Sequence, residues 1–246
     1  MFFEEHAKLL SDFARVSQAA GARADYVQGG GGNTSVKLPG GLMAIKASGF
    51  CLSDIHPDQA YAVLDGADLR NFYLTTEPSE LADVEKEGSA RAKDDIRHID
   101  GLADLRPSVE AGFHSILKTF VVHTHSVYAN LAACSTACRP IAAQAFAGAN
   151  YTWGWVPYTD PGANLTFAIR DELRRVEKET GKVPSVILMQ NHGIIVHDDD
   201  PNTALAIHTD ANERLARMFG LSGTSFPKIA VREIAAGIYA ADVPHL

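Results

Sequence analysis

Residues 119–125, "TFVVHTH", form a short apolar run that ends in two histidines one residue apart. Side chains at positions i and i+2 of a β-strand point to the same face, so a strand here presents His123 and His125 in one direction. Two imidazoles placed in this way can hold a metal ion, and neutral imidazole suits zinc. Two histidines with ordinary hydrogen-bond partners fit the same pattern, so the pair alone does not establish a metal site.

A third histidine has a similar setting in "SVILMQNHGIIVHDD" (residues 185–199), where Asn191-His192-Gly193 separates two apolar runs. The glycine permits a sharp turn, so His192 can lie at a strand end beside the first two histidines. Strand ends are where α/β sheets usually bind ligands, and an enzyme site typically offers a metal three protein ligands. We predict a metal site of His123, His125 and His192, with a simple turn residue as the alternative for His192.

The rest of the chain alternates strands and helices. The pattern predicts a hairpin around Pro39-Gly40-Gly41 and a strand over residues 60–65. It also predicts helices over about residues 4–20, 108–118, 126–138, 162–181 and 201–219. Residues 68–106 are polar and charged and are predicted to form a helical insertion over the core. We therefore predict one α/β domain over residues 1–246 with a central mixed sheet.

Composition excludes several classes of protein. The 246 residues carry a net charge of −8, which argues against a general nucleic-acid binder because such proteins neutralise phosphates with Lys and Arg. No apolar stretch reaches the roughly 18 residues that a membrane span needs. The three cysteines suit a reducing compartment; Cys134 and Cys138 could ligate metal or simply pack in their helix. We expect a cytoplasmic protein that binds neither nucleic acid nor membrane.

The glycine-rich stretch "GGGGNTSVK" (residues 29–37) indicates a second functional element. Glycines permit close backbone approach to a ligand, and exposed N–H groups with the side chains of Asn33, Thr34 and Ser35 can donate to a phosphate. In "IKASG" (residues 45–49), Lys46 and Ser48 could add a cation and a hydroxyl. A flexible surface loop is the alternative interpretation.

Glu110, in "RPSVEAGFH" (residues 106–114), begins the helix before the histidine strand. A carboxylate beside a metal-bound carbonyl compound can move a proton on carbon. A carboxylate is also favourable at a helix N-terminus for electrostatic reasons alone. His114 lies one turn later and is a rival metal ligand or a core residue.

These motifs, in this order, resemble those of the class II aldolase and adducin family. "GGGGNTSVK" is similar to its phosphate loop, "KASG" to its hydroxyl-glycine turn, "PSVE" to its Pro-Ser-x-Glu motif, and "HTH" and "QNHG" to its metal-ligand motifs. The similarity spans roughly residues 19–220. It is greatest to fuculose-1-phosphate aldolase and to the aldolase part of rhamnulose-1-phosphate aldolase and dehydrogenase fusions.

The resemblance implies a largely antiparallel sheet with helices on both sides, and a cyclic homotetramer with sites between subunits. It implies zinc on His123, His125 and His192, and proton transfer by Glu110. It places substrate phosphate on Gly32, Asn33, Ser48, Gly49 and Ser108. The implied activity is reversible cleavage of a ketose 1-phosphate, such as rhamnulose or fuculose 1-phosphate, into dihydroxyacetone phosphate and a short aldehyde. Dehydration, epimerisation or decarboxylation of a related sugar phosphate, or a non-catalytic adducin-like module, are the alternatives.

Overall fold

The computed structural model describes residues 1–221 and 231–241. The strands in these residues are β1 Asn33–Lys37, β2 Leu42–Lys46, β3 Tyr61–Asp65, β4 Ile96–Arg97, β5 Phe120–Thr124, β6 Trp153–Val156, β7 Val186–Met189, β8 Gly193–Asp198, β9 Val231–Ala235 and β10 Ile238–Ala241. The helices are α1 Phe2–Glu5, α2 Ala7–Gly21, α3 Gly66–Thr75, α4 Val84–Asp94, α5 Ala111–Ile116, α6 Val127–Ala133, α7 Cys138–Ala145, α8 Ala163–Thr180 and α9 Pro201–Met218. Among the described residues, none of these helices is both long and apolar enough to cross a bilayer.

Strands β1 to β8 form one mixed sheet in the order β4-β3-β2-β1-β5-β8-β7-β6. Only the β6–β7 pair is parallel among these neighbours, so the prediction of a mixed sheet is confirmed. The histidine strand β5 lies near the middle, between β1 and β8. Its register places His123 opposite Asn33 on one side and opposite Ile195 on the other. Residues far apart in the sequence therefore meet beside His123.

Helices cover both faces of the sheet, and strand alternation divides the core between them. In β5, Val122 packs with the layer of α2, α6, α7 and α9, whereas Val121 packs with the layer of α3, α5 and α8. His123 shares the face of Val121 and Thr124 shares that of Val122. The side chain of His123 is therefore turned toward α5, the helix that follows Glu110.

The predicted insertion over residues 68–106 is more integrated into the fold than we expected. Helices α3 and α4 occupy much of it, but Leu69 and Tyr73 of α3 are fully buried in the second core layer, and β4 extends the sheet beside β3. Leu69 and Tyr73 are four residues apart and so share one helix face. A single apolar stripe inside a charged segment was enough to anchor α3.

Two predicted helices are divided in the structure. The N-terminal helix breaks at His6 into α1 and α2. The helix predicted over residues 126–138 ends at Ala133, and α7 begins at Cys138. Cys134 is exposed whereas Cys138 is buried, so the two cysteines do not share one helix face. The interpretation that the cysteines simply pack in a helix therefore holds for Cys138 but not for Cys134.

Candidate functional site

The three predicted histidines lie together at one end of the central strands of the sheet. His123 is in β5, His125 follows that strand, and His192 comes from the turn between β7 and β8. One ring nitrogen from each lies within 4.8 Å of the other two. His123 Nδ1–H donates to the Ile194 carbonyl at 3.0 Å, which fixes the tautomer and turns Nε2 toward the cluster. The sequence prediction that these strand ends converge is confirmed.

The cluster contains buried nitrogens that no protein group satisfies. His123 Nε2, His125 Nε2 and His192 Nδ1 have no hydrogen-bond partner within residues 1–221 and 231–241. Burial lowers the pKa of His123 to about 3 and also lowers the pKa of His125, so both imidazoles are neutral near pH 7. Unsatisfied buried nitrogen is costly, and neutral imidazole is the form that ligates metals. The donor set fits a divalent metal ion.

Two glycines allow the strands beside β5 to approach it closely. A Cβ on Gly32 would lie 2.6 Å from the His123 carbonyl oxygen, and one on Gly193 would lie 2.4 Å from the Thr124 carbonyl oxygen. Neither distance is possible without backbone movement. Gly32 also has a left-handed φ of 69°, which favours glycine. At least part of the glycine-rich stretch therefore serves to bring Asn33 beside the histidines.

Glu110 lies against the histidine cluster and is only 6% exposed. Its Oε1 is 3.1 Å from His192 Nε2, and its Oε2 is 3.6 Å from His123 Nε2. The Asn33 amide donates to Oε2 at 2.5 Å. Burial raises the pKa of this carboxyl, but the imidazoles and the Asn33 amide outweigh burial and hold the pKa below its ordinary value. Glu110 is therefore an ionised carboxylate beside the imidazoles of His123 and His192.

His114 is fully buried behind Asn33 rather than in the cluster. Its Nε2 contacts Asn33 Oδ1, and its Nδ1 lies 2.8 Å from Ser35 Oγ. Because an amide oxygen only accepts, Nε2 carries the hydrogen and Nδ1 accepts from the Ser35 hydroxyl. Both ring nitrogens are thus used, so His114 is not a metal ligand. It orients the Asn33 amide toward Glu110, a role that residue spacing alone did not indicate.

Ser108 and Ser48 lie beside this network. Ser108 Oγ accepts from the Asn33 amide at 3.0 Å and from the Glu110 N–H at 3.2 Å. Ser48 Oγ donates to the Pro107 carbonyl at 3.1 Å. In the described part of the chain, the Ser108 hydroxyl hydrogen and the N–H groups of Gly32 and Gly49 make no hydrogen bond. These groups remain able to donate to an anion.

Lys46 and Thr34 have structural contacts that the sequence did not predict. Lys46 Nζ donates to the Phe50 carbonyl at 2.7 Å and to the Gly30 carbonyl at 3.3 Å, which ties the glycine-rich loop to the next turn. Burial lowers the pKa of Lys46. Thr34 lies on the opposite face of β1, with its hydroxyl 2.6 Å from Ser17 Oγ of α2. Strand alternation turns the Thr34 side chain away from the face that carries Asn33 and Ser35. Thr34 is therefore not placed to bind phosphate with them.

A known protein family matches most of the chain. The family model for the class II aldolase and adducin N-terminal domain matches residues 11–219. The chain belongs to this family. Its matched region includes every predicted site residue of the class II aldolase pattern, from Gly32 to His192. No curated protein sequence matches the chain significantly.

Solved structures share the class II aldolase fold over most of the chain. The N-terminal class II aldolase domain of a conserved protein from Thermoplasma acidophilum has a TM-score of 0.69 and 20% identity, over 85% of this chain and 93% of that one. YgbL from Klebsiella pneumoniae, described as an aldolase, epimerase or decarboxylase, has a TM-score of 0.59 and 17% identity, over 92% of this chain and 95% of that one. L-fuculose-1-phosphate aldolase from Thermus thermophilus has a TM-score of 0.51 and 15% identity, over 87% of this chain and 95% of that one. Such identities show a common fold.

Proposed function

We propose that this protein is a metal-dependent aldolase that reversibly cleaves a ketose 1-phosphate into dihydroxyacetone phosphate and a short aldehyde. The observation that carries the proposal is the placement of the Glu110 carboxylate within 3.6 Å of the imidazoles of His123 and His192. A deoxyketose such as rhamnulose or fuculose 1-phosphate is the proposed substrate, in keeping with the fuculose-1-phosphate aldolases that share the fold.

The three histidines would hold the metal, and zinc is the proposed ion because its sites accept three imidazoles. A bound divalent ion supplies Lewis-acid polarisation of the substrate oxygens. The chain contributes the orientation of the ligands: the Ile194 carbonyl holds His123 with Nε2 inward. The buried surroundings also exclude water from the side of the cluster that faces α5, because His123 is fully buried.

Glu110 would carry the proton. As an ionised carboxylate it can accept a proton from the carbon beside the carbonyl group in the condensation direction, and return that proton in the cleavage direction. Its second oxygen stays bonded to the Asn33 amide, so Glu110 keeps its position while it changes protonation state. The His114 imidazole, itself bonded to the Ser35 hydroxyl, holds the Asn33 amide in this orientation.

The phosphate of the substrate would bind at the glycine-rich loop and the two serines. Both hydrogens of the Asn33 amide are already used, one on Glu110 and one on Ser108. The free donors are the Ser108 hydroxyl and the N–H groups of Gly32 and Gly49, with Ser48 able to rotate from the Pro107 carbonyl. The positive charge of Lys46 would attract the phosphate, while its hydrogen bonds to the Gly30 and Phe50 carbonyls hold the glycine-rich loop in place.

We further propose a homotetramer with sites between subunits, as the family resemblance implies. Val109, next to Glu110, is 66% exposed and Tyr158 is 55% exposed. These two side chains leave apolar surface for a partner subunit to cover, and the number of subunits rests on the family resemblance. Sedimentation equilibrium should give four times the chain mass, and an active monomer would contradict the proposal.

The main alternative keeps the same groups but uses them for epimerisation, decarboxylation or dehydration of a related sugar phosphate. The likeness to YgbL, for which aldolase, epimerase and decarboxylase activities are all named, supports that alternative. A non-catalytic adducin-like module is the other alternative. The unsatisfied histidine nitrogens favour an enzyme over that module, because a scaffold gains nothing from burying them.

Product analysis distinguishes these functions. The purified protein is incubated with a panel of ketose 1-phosphates, and release of dihydroxyacetone phosphate and of carbon dioxide is followed together with inversion at carbon. We expect dihydroxyacetone phosphate release from at least one deoxyketose, about one zinc-like ion per chain, and loss of most of that ion in His123→Ala. Full metal content in a triple alanine variant of the histidines would contradict the metal assignment.

A further inference from the structure

A cavity lies at the opposite end of β5 from the histidine cluster. It has a volume of about 640 Å³ and is bordered by Lys118 and Thr119, which directly precede β5, and by Lys37 at the end of β1. Helices α3 and α8 form its outer walls. Because β5 leads from this cavity to His123, the cavity is separate from the proposed active site.

The walls of this cavity are largely apolar, and its volume lies in the range of small-molecule sites. The apolar wall residues include Leu38, Leu42, Leu74, Ile116, Leu117 and Leu173. A ligand bound here would therefore bury a hydrocarbon portion. The apolar walls alone would accept many compounds, so the charged groups determine which class fits.

Positive charge predominates in this cavity although the chain as a whole has a net charge of −8. Five cationic side chains line it, against the carboxylates of Glu177 and Asp199. Three of the five already have carboxylate partners: Lys118 pairs with Asp198, and Arg170 and Arg174 both pair with Asp171. The remaining two, Lys37 and Arg70, make no salt bridge within the described residues, so they are the cations available to a ligand.

Lys37 and Arg70 have only carbonyl partners in the described part of the chain. Lys37 Nζ donates to the His114 carbonyl, and Arg70 Nη1 donates to the Ser115 carbonyl at 3.2 Å. Burial and the nearby Arg70 charge hold the pKa of Lys37 well below its ordinary value. Neither cation makes a salt bridge in that part of the chain, although the Asp199 carboxylate favours the charged form of Lys37. Two neighbouring cations repel each other, and an oxyanion between them would offset that repulsion.

We propose that this cavity binds an organic oxyanion with a short apolar body, its carboxylate or phosphate head placed between Arg70 and Lys37 and its hydrocarbon portion against the leucines. Arg70 supplies a planar fork that suits either head group. Lys37 adds a second donor, and binding of an anion beside it favours its charged form. The inference concerns the cavity alone and does not depend on the reaction at Glu110.

The test uses isothermal titration calorimetry of the full chain with hexanoate and hexyl phosphate as the two oxyanion probes. Hexan-1-ol is the uncharged control. We expect one saturable site per chain for at least one oxyanion, with binding of hexan-1-ol at least tenfold weaker. The stronger of the two oxyanions identifies the head group. No saturable binding of either oxyanion, or equal binding of the alcohol, would overturn the proposal.

Variants locate the binding. Arg70→Gln and Lys37→Met should each weaken oxyanion binding about tenfold or more. Lys37→Met preserves the apolar stem of the lysine, so it still tests the proposal if Arg70→Gln does not fold. Arg15→Gln is the matched control, because Arg15 pairs with Asp12 on α2 outside the cavity, and it should bind as the wild type does. Ser108→Ala, which removes a free donor beside the glycine-rich loop, should also leave the affinity unchanged. Weakening by Ser108→Ala but not by the cavity variants would assign the binding to the glycine-rich loop and refute the inference.

Discussion

Glu110 combines two properties that a general base requires, since it is ionised and it is held in place. Glutamine preserves its shape and can still contact Asn33, but it cannot accept a proton. Glu110→Gln should therefore retain metal while its turnover falls roughly 10²- to 10⁴-fold, the usual contribution of a positioned acid or base. Exchange of solvent deuterium into dihydroxyacetone phosphate, followed by NMR, measures this step directly. Normal exchange in the variant would exclude Glu110 as the base.

His114 illustrates a residue that acts only through another side chain. Glutamine at this position can satisfy one of its two buried partners but not both Asn33 and Ser35. An unsatisfied buried polar group costs about 1–3 kcal/mol, so His114→Gln should lower the free energy of unfolding by that amount. Metal content should be unchanged, and urea unfolding together with metal analysis checks both. Loss of metal in His114→Gln would show that this histidine supports the cluster directly.

The elements beside β5 explain why the glycine-rich loop is sensitive at one position and tolerant at another. Gly32→Ala places a methyl group against the His123 carbonyl and strains a left-handed residue. We expect it to destabilise the fold by about 1–3 kcal/mol and to reduce metal content, since it displaces the histidine strand. Gly30→Ala is the matched control, because its nearest neighbour would be 3.6 Å away. Equal effects of the two variants would contradict the close-packing role of Gly32.

The elements that the sequence predicted best are those whose periodicity is strong. The hairpin of β1 and β2, strand β5 and the turn at His192 follow directly from alternation and from glycine placement, and so does the convergence of the three histidines. The contribution of α3 to the core was missed because buried apolar residues such as Leu69 and Tyr73 are few in a segment that is otherwise polar and charged. Alternation in β1 could have excluded Thr34, whereas the link from His114 to Asn33 depends on register across the sheet, which local patterns do not encode.

At the scale of the whole molecule, buried neutral histidines make stability depend on pH. His208 is 1% exposed, with its Nε2 2.8 Å from Thr124 Oγ1. Burial lowers its pKa to about 3, against about 6.5 in an unfolded chain. His197 has the same shift for the same principal reason. Between these values the unfolded state binds the additional protons, so the free energy of unfolding falls as pH drops below about 6.5.

His208→Gln tests this linkage. At pH 7 the variant should be less stable than the wild type because it loses packing and part of the contact with Thr124. From pH 7 to pH 4.5 the wild type should lose roughly 2–3 kcal/mol through His208 alone, a loss that glutamine does not suffer. The difference between the two proteins should therefore shrink or reverse on acidification. Urea unfolding at each pH measures this difference in the free energy of unfolding. A chelator is present to remove the separate pH dependence of metal binding. A constant difference across this pH range would show that His208 is protonated alike in the folded and unfolded states.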